Sequence, residues 1–118
     1  MALYKTIKKD GDEHPTRYYS KKQEDFVAKK FGGERVKASG STMWEKGDVS
    51  LDNILLECKT KTKASESITI QKEWLVKQEK ESLFMGKQYS ALAFNFGPDE
   101  KNYYIISEEL FEILLSKI

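Results

Sequence analysis

The stretch Asp48-Val49-Ser50-Leu51-Asp52-Asn53-Ile54-Leu55-Leu56-Glu57-Cys58-Lys59-Thr60 decides how this chain is read. Strand-forming residues flank Asp52-Asn53, a pair that favours tight turns, so residues 48–51 and 54–60 are expected as the two strands of a β-hairpin. With Asp52 and Asn53 as the turn, Leu51 faces Ile54 and the pairing continues outward until Asp48 lies opposite Glu57. Strand alternation sends Lys59 to the face of Glu57, while Leu56, Cys58 and Thr60 point the other way. Directly opposed residues have Cβ atoms roughly 4.5–5.5 Å apart, where two carboxylates repel unless positive charge sits between them. A divalent cation meets that need. Carboxylate oxygens suit Mg²⁺ or Mn²⁺, which take one or two protein carboxylates and leave positions for water and phosphate. Lys59 adds a cation for negative charge developing on a phosphoryl oxygen, so the chemistry expected of the face is metal-dependent phosphodiester hydrolysis. Cys58, facing away, is expected as a small buried hydrophobe whose backbone carbonyl can still reach the metal.

Outward from the hairpin, the chain reads as one α/β domain with a polar, lysine-bearing arm over residues 1–19. Ser20-Lys21-Lys22-Gln23 has capping-box spacing, and Val27, Ala28 and Phe31 form an apolar stripe ending at Gly32-Gly33, which predicts a helix over 20–31. Residues 34–38 read as a short strand and Ser39-Gly40-Ser41 as a loop before the hairpin. After it, 61–66 is polar and loop-like. Trp74, Leu75, Gln78 and Leu83 then recur at helical intervals before Gly86, predicting a helix over 71–85 with Trp74 in the core. Residues 88–96 and 103–106 read as strands around Gly97-Pro98-Asp99, and Ser107 caps a last helix bearing Leu110, Phe111, Leu114 and Leu115. The expected order is αβββαββα, a mixed β-sheet flanked by helices.

With 118 residues, 39% hydrophobic and 33% charged, the composition is that of a single globular domain over residues 20–118 behind its arm. No run of about eighteen apolar residues could span a bilayer, and the lysine-bearing start lacks the apolar segment of a secretory signal. One cysteine forms no internal disulfide and has no companions for a zinc site, so a reducing cytoplasm is expected. The net charge of +1 is uninformative, but its distribution is not. Residues 1–80 hold 17 Lys/Arg against 13 Asp/Glu, a surplus of 4, and residues 81–118 hold 3 against 6, a deficit of 3. A phosphate-facing side therefore belongs to the first two-thirds.

Gly47-Asp48 followed by Leu56-Glu57-Cys58-Lys59 resembles the Asp and Glu-x-Lys elements of the PD-(D/E)xK nuclease superfamily, although Gly47 stands where proline is common. Ala38-Ser39-Gly40-Ser41 and Glu24 on the preceding helix resemble, within that superfamily, the archaeal Holliday-junction resolvases and their phage-encoded relatives; the likeness runs over about residues 20–106. It implies a restriction-endonuclease-like fold, a Mg²⁺ cofactor that Mn²⁺ can replace, and a homodimer with two separated active sites acting on branched DNA in a prokaryotic cytoplasm. Carried onto this chain, Asp48, Glu57 and Lys59 form the catalytic centre, Glu24 helps complete the metal site, and Ser39 contacts the scissile region. Lys61 and Lys63, read as extending the face of Lys59, are candidates for DNA contact together with Arg35, Lys37 and Ser41, with ordinary solvated charge the equal alternative for Arg35 and the lysines. The same core serves nicking and restriction-like nucleases, and a non-catalytic DNA-binding module could keep the fold, so the substrate stays open at this point.

Overall fold

The computed structural model describes residues 16–36 and 48–118. In chain order these form α1 (Thr16–Phe31), β1 (Glu34–Arg35), β2 (Asp48–Ser50), β3 (Ile54–Lys59), α2 (Lys72–Phe84), β4 (Tyr89–Phe94), β5 (Tyr103–Ile106) and α3 (Glu108–Leu115). The strands make one mixed sheet in the order β1-β2-β3-β4-β5. All neighbours are antiparallel except β3 and β4, which pair in parallel. A parallel pair needs a long crossover, and the segment holding α2 supplies it. The order is the αβββαββα expected from periodicity. The first helix starts at Thr16, four residues earlier than the Ser20 cap suggests, so the end of the expected arm is helical; residues 1–15 lie outside the described residues.

The hairpin closes as the turn chemistry dictates. Leu51 N donates to Ile54 O at 2.9 Å, and the pairs Ser50–Leu55, Val49–Leu56 and Asp48–Glu57 follow. Strand alternation then sorts the sheet into two faces. One carries Val49, Leu56, Cys58, Ala91 and Ala93, which pack with Val27 and Ala28 of α1 into the core, with Leu51, Ile54 and Ile106 around it. Three of these strand residues are small (Cys58, Ala91, Ala93), which lets α1 lie close to the sheet. Just after α1, Gly33 runs against β2, where a Cβ would meet the Leu51 side chain and come within 2.6 Å of Ser50 O. The opposite face carries Asp48, Leu55, Glu57, Lys59 and Leu92, with Leu55 and Leu92 fully buried. On that side α2 is pinned by Gln78, whose Nε2 donates to Leu55 O at 3.2 Å.

Two apolar stripes expected from helical spacing are only partly buried. In α2 the inward residues are Gln78 and Ser82, while Leu83 is 73% exposed. Positions 74, 78 and 82 share one face at i,i+4 spacing, so the register that seats Gln78 turns Leu83 outward. In α3, Ser107 caps the helix through a 3.1 Å bond from Leu110 N, and Leu110 is buried, but Phe111, Leu114 and Leu115 remain about half exposed. That helix follows β5, the last strand of the sheet, where little of the sheet remains to cover it. Among the described residues no helix is long and apolar enough to cross a membrane.

Candidate active site

Asp48 opens β2 and Glu57 lies on β3 directly across from it. Asp48 O accepts from Val36 N at 2.9 Å, so the Asp48 peptide groups point toward β1 and the Asp48–Glu57 pair occupies a non-hydrogen-bonded position. At such positions the Cα atoms approach to roughly 4.5 Å and the side chains are closest. Asp48 is 1% exposed and Glu57 is partly buried. Two carboxylates are thus held on one face at the edge of the core, where poor solvation strengthens their repulsion.

Lys59, two residues along β3, shares that face and sets its Nζ 3.3 Å from Glu57 Oε2. On its other side the ammonium lies 4.2 Å from the ring centroid of Trp74, in the first turn of α2. Trp74 is half-buried and serves here as a lid on Lys59 rather than as a core residue. Ion pair and ring together restrict a side chain that would otherwise sample many rotamers.

Glu24 goes elsewhere. It projects from α1 on the opposite side of the sheet, 1% exposed, and its Oε1 accepts from Arg35 Nε at 3.2 Å. Its Oε2 is buried without a hydrogen-bond partner among the described residues. Burial pushes the Glu24 carboxyl above its ordinary value, against the pull of the Arg35 guanidinium. Cys58 is buried as expected. Its thiol is pushed far above the ordinary range, first by burial and then by the negative charges of Glu24, Glu57 and Asp48.

The chemistry of the donor set fits a hard divalent cation at the Asp48–Glu57 pair, with the Cys58 backbone carbonyl as a further oxygen, because Mg²⁺ commonly takes one or two carboxylates and keeps its remaining ligands as water or phosphate. Glu24 does not join them, and among the described residues no group of three or more His, Cys, Asp or Glu is arranged to hold a metal ion.

The candidate DNA contacts divide as well. Arg35 is bound to Glu24 and also lies 3.5 Å from Asp25 Oδ1, so its guanidinium serves the fold. Strand β3 ends at Lys59, and alternation does not carry past it to Lys61 and Lys63. Lys61 Nζ donates to Ser65 Oγ at 3.2 Å, and Lys63 is exposed. Lys37, Ser39 and Ser41 lie outside the described residues.

Spacing gave no warning of two features. Trp74 reads as core because an aromatic at a helical repeat usually is. Gln23, Asn95 and Asn102 carry no motif, yet their amides are joined: Gln23 Nε2 donates to Asn102 Oδ1 and to Lys59 O, both at 3.0 Å, and Asn95 Nδ2 donates to Asn102 Oδ1 at 3.2 Å. The Lys59 carbonyl is thereby tied to α1 and to the turn before β5. No protein-family model matches this chain, and no curated protein or solved structure matches it either.

Proposed function

We propose that this chain is a Mg²⁺-dependent DNA endonuclease of restriction-endonuclease-like fold that hydrolyses phosphodiester bonds in branched DNA, in the manner of a Holliday-junction resolvase. The observation that carries the reading is the in-register Asp48–Glu57 pair with Lys59 on the same face, its Nζ 3.3 Å from Glu57. The order αβββαββα around a five-stranded mixed sheet supports the fold. Asp48, Glu57 and the Cys58 carbonyl would hold the cation, which when bound supplies an activated water and a polarised phosphoryl oxygen. Lys59 places a positive charge where negative charge develops on the phosphoryl group, and it needs no large reorganisation because Glu57 and Trp74 already orient it. The burial of Asp48 and the cover of Trp74 reduce solvent screening of these charges. A homodimer with two such sites would deliver paired nicks across a four-way junction, in a prokaryotic cell or from a phage genome.

A second reading is a DNA-binding module of the same fold without turnover. It is favoured by Glu24, which is engaged by Arg35 instead of joining the acid pair.

Incubating a labelled four-way junction and a matched linear duplex with Mg²⁺, Mn²⁺ or EDTA separates the readings, with Glu57→Gln alongside. Paired, metal-dependent nicks in the junction alone, lost in Glu57→Gln, are expected. Equal cutting of both substrates means a general nuclease. Binding of either without cutting in any metal means the module.

A further inference from the structure

On the α1 side of the sheet, across from the acid pair, a groove of about 580 Å³ is lined by α1, Thr60, Asn95 and the turn between β4 and β5. Its walls combine three chemistries. Phe26, Phe31 and Tyr104 are aromatic and remain 55%, 47% and 39% exposed. Phe31 meets Tyr104 edge to face at 5.9 Å. An exposed aromatic cluster in a groove marks a binding surface more often than an isolated exposed ring does.

The second chemistry is the joined amides. Lys59 O can only accept, which fixes the Gln23 amide with Nε2 toward it at 3.0 Å. Asn102 Oδ1 receives donors from both Gln23 and Asn95, which fixes its amide too. Asn95 Oδ1 is taken by Thr60 Oγ1 at 2.6 Å. Two groups are left over: Gln23 Oε1, a buried acceptor without a partner in a residue only 5% exposed, and Asn102 Nδ2, a donor with no hydrogen bond among the described residues. The third chemistry is cationic, since Lys22, Lys30 and Lys101 stand in the lining against Asp99 and Glu100.

We propose that this groove binds an unpaired base of a DNA strand, stacked against Phe26, Phe31 and Tyr104, with its polar edge met by Gln23 and Asn102. The leftover groups ask for a ligand that donates one hydrogen bond and accepts another. An exocyclic amine beside a ring nitrogen does both in adenine and cytosine, and a ring N–H beside a carbonyl does both in thymine and guanine, so the two amides ask for a base edge without choosing among the bases. Every base has a π-face for the aromatic wall, and Lys30 and Lys101 suit the phosphates on either side, Lys22 being paired with Asp99 at 2.8 Å. Gln23 Oε1 is buried, and a base that donates to it removes the cost of a buried unsatisfied acceptor. The site needs no cleavage by the acid pair; the choice of DNA over RNA rests on the nuclease reading.

The test uses the full chain in EDTA and the fluorescence anisotropy of short labelled strands of about ten nucleotides. One strand carries adenine, one thymine, and one is abasic with the same sugar-phosphate backbone. The adenine strand is expected to bind roughly tenfold or more tightly than the abasic strand, with thymine between them. The double variant Phe26→Ala/Phe31→Ala, whose lost rings are about half exposed, should bring adenine binding down to the abasic level while its circular dichroism stays that of the folded chain. Asn102→Asp, which removes the leftover donor, should weaken adenine and thymine binding alike relative to the abasic strand. Equal binding of adenine and abasic strands overturns the proposal, as does unchanged adenine binding by the double variant. Adenine binding that persists in a protein unable to cut any DNA with Mg²⁺ supports the base site and sinks the nuclease reading alone; normal cutting with no base preference does the reverse.

Discussion

Lys59 carries the heaviest chemical demand of any side chain in the proposed site, and its surroundings allow the demand to be measured. Lys59→Met removes the cation facing the phosphoryl group and should lower the cleavage rate by about 100- to 1,000-fold, the usual cost of one preorganised electrostatic partner. Trp74 touches no reacting atom in this scheme and acts by holding Lys59, at 4.2 Å from ring centroid to Nζ. A cation–ring contact of this kind is worth ~0.5–2 kcal/mol, so Trp74→Leu should reduce kcat by roughly 2- to 30-fold with KM little changed, and Trp74→Phe should recover part of it. A KM effect alone would show that Trp74 binds DNA directly. Glu24 gives a prediction in pH. Its carboxyl is raised above 4.5 by burial, so the folded chain holds that proton more firmly than the unfolded one. The stabilisation it contributes is complete below pH 4.5 and is lost as pH rises through the raised value. Urea titrations of wild type and Glu24→Gln should therefore show a stability difference that turns against wild type as pH rises. A difference that moves the other way would mean the Arg35 pair outweighs burial. The positions of Asp48, Glu57 and Lys59 were legible from a two-residue turn and strand alternation, because both are local rules. The destination of Glu24 was not, because nothing local tells a helix acid which arginine it will meet.

At the scale of elements, β3 is the central strand and every part of the site depends on its placement. Leu56 is 3% exposed and faces α1 beside Cys58. Leu56→Ala should destabilise the fold by about 2–4 kcal/mol through lost burial and the cavity left behind, read as a lower urea midpoint with an unchanged slope. A change in slope instead would indicate that the denatured state had been altered. Helix α2 shows why periodicity alone misplaces faces: the α2 side chain bonded to the sheet is Gln78, through Leu55 O, so the buried register follows a hydrogen bond and not the most apolar residues. Lys61 and Lys63 illustrate the same limit at a strand end. Alternation holds only while the ladder continues, and β3 stops at Lys59.

For the whole molecule, charge balance and substrate meet in the salt dependence of binding. With a net charge of +1, the DNA binding proposed above would have to come from local placement of lysines and not from the overall field. Each lysine that neutralises a phosphate should contribute about 0.9 to the slope of log K against log salt, so Lys61→Ala and Lys63→Ala should each lower it by about that amount on a four-way junction without Mg²⁺. An unaltered slope would leave both lysines in a solvated loop. The linear chain determined the element order, the hairpin register, the Asp48–Glu57 opposition and the side of Lys59, since turn chemistry and strand alternation act within a few residues. Only the tertiary structure decided that Arg35 takes Glu24, that Trp74 covers Lys59, and that Gln23, Asn95 and Asn102 meet beside three exposed rings. Those contacts join residues far apart in the chain, and their partners are chosen by how helices dock on the sheet, which no local pattern encodes.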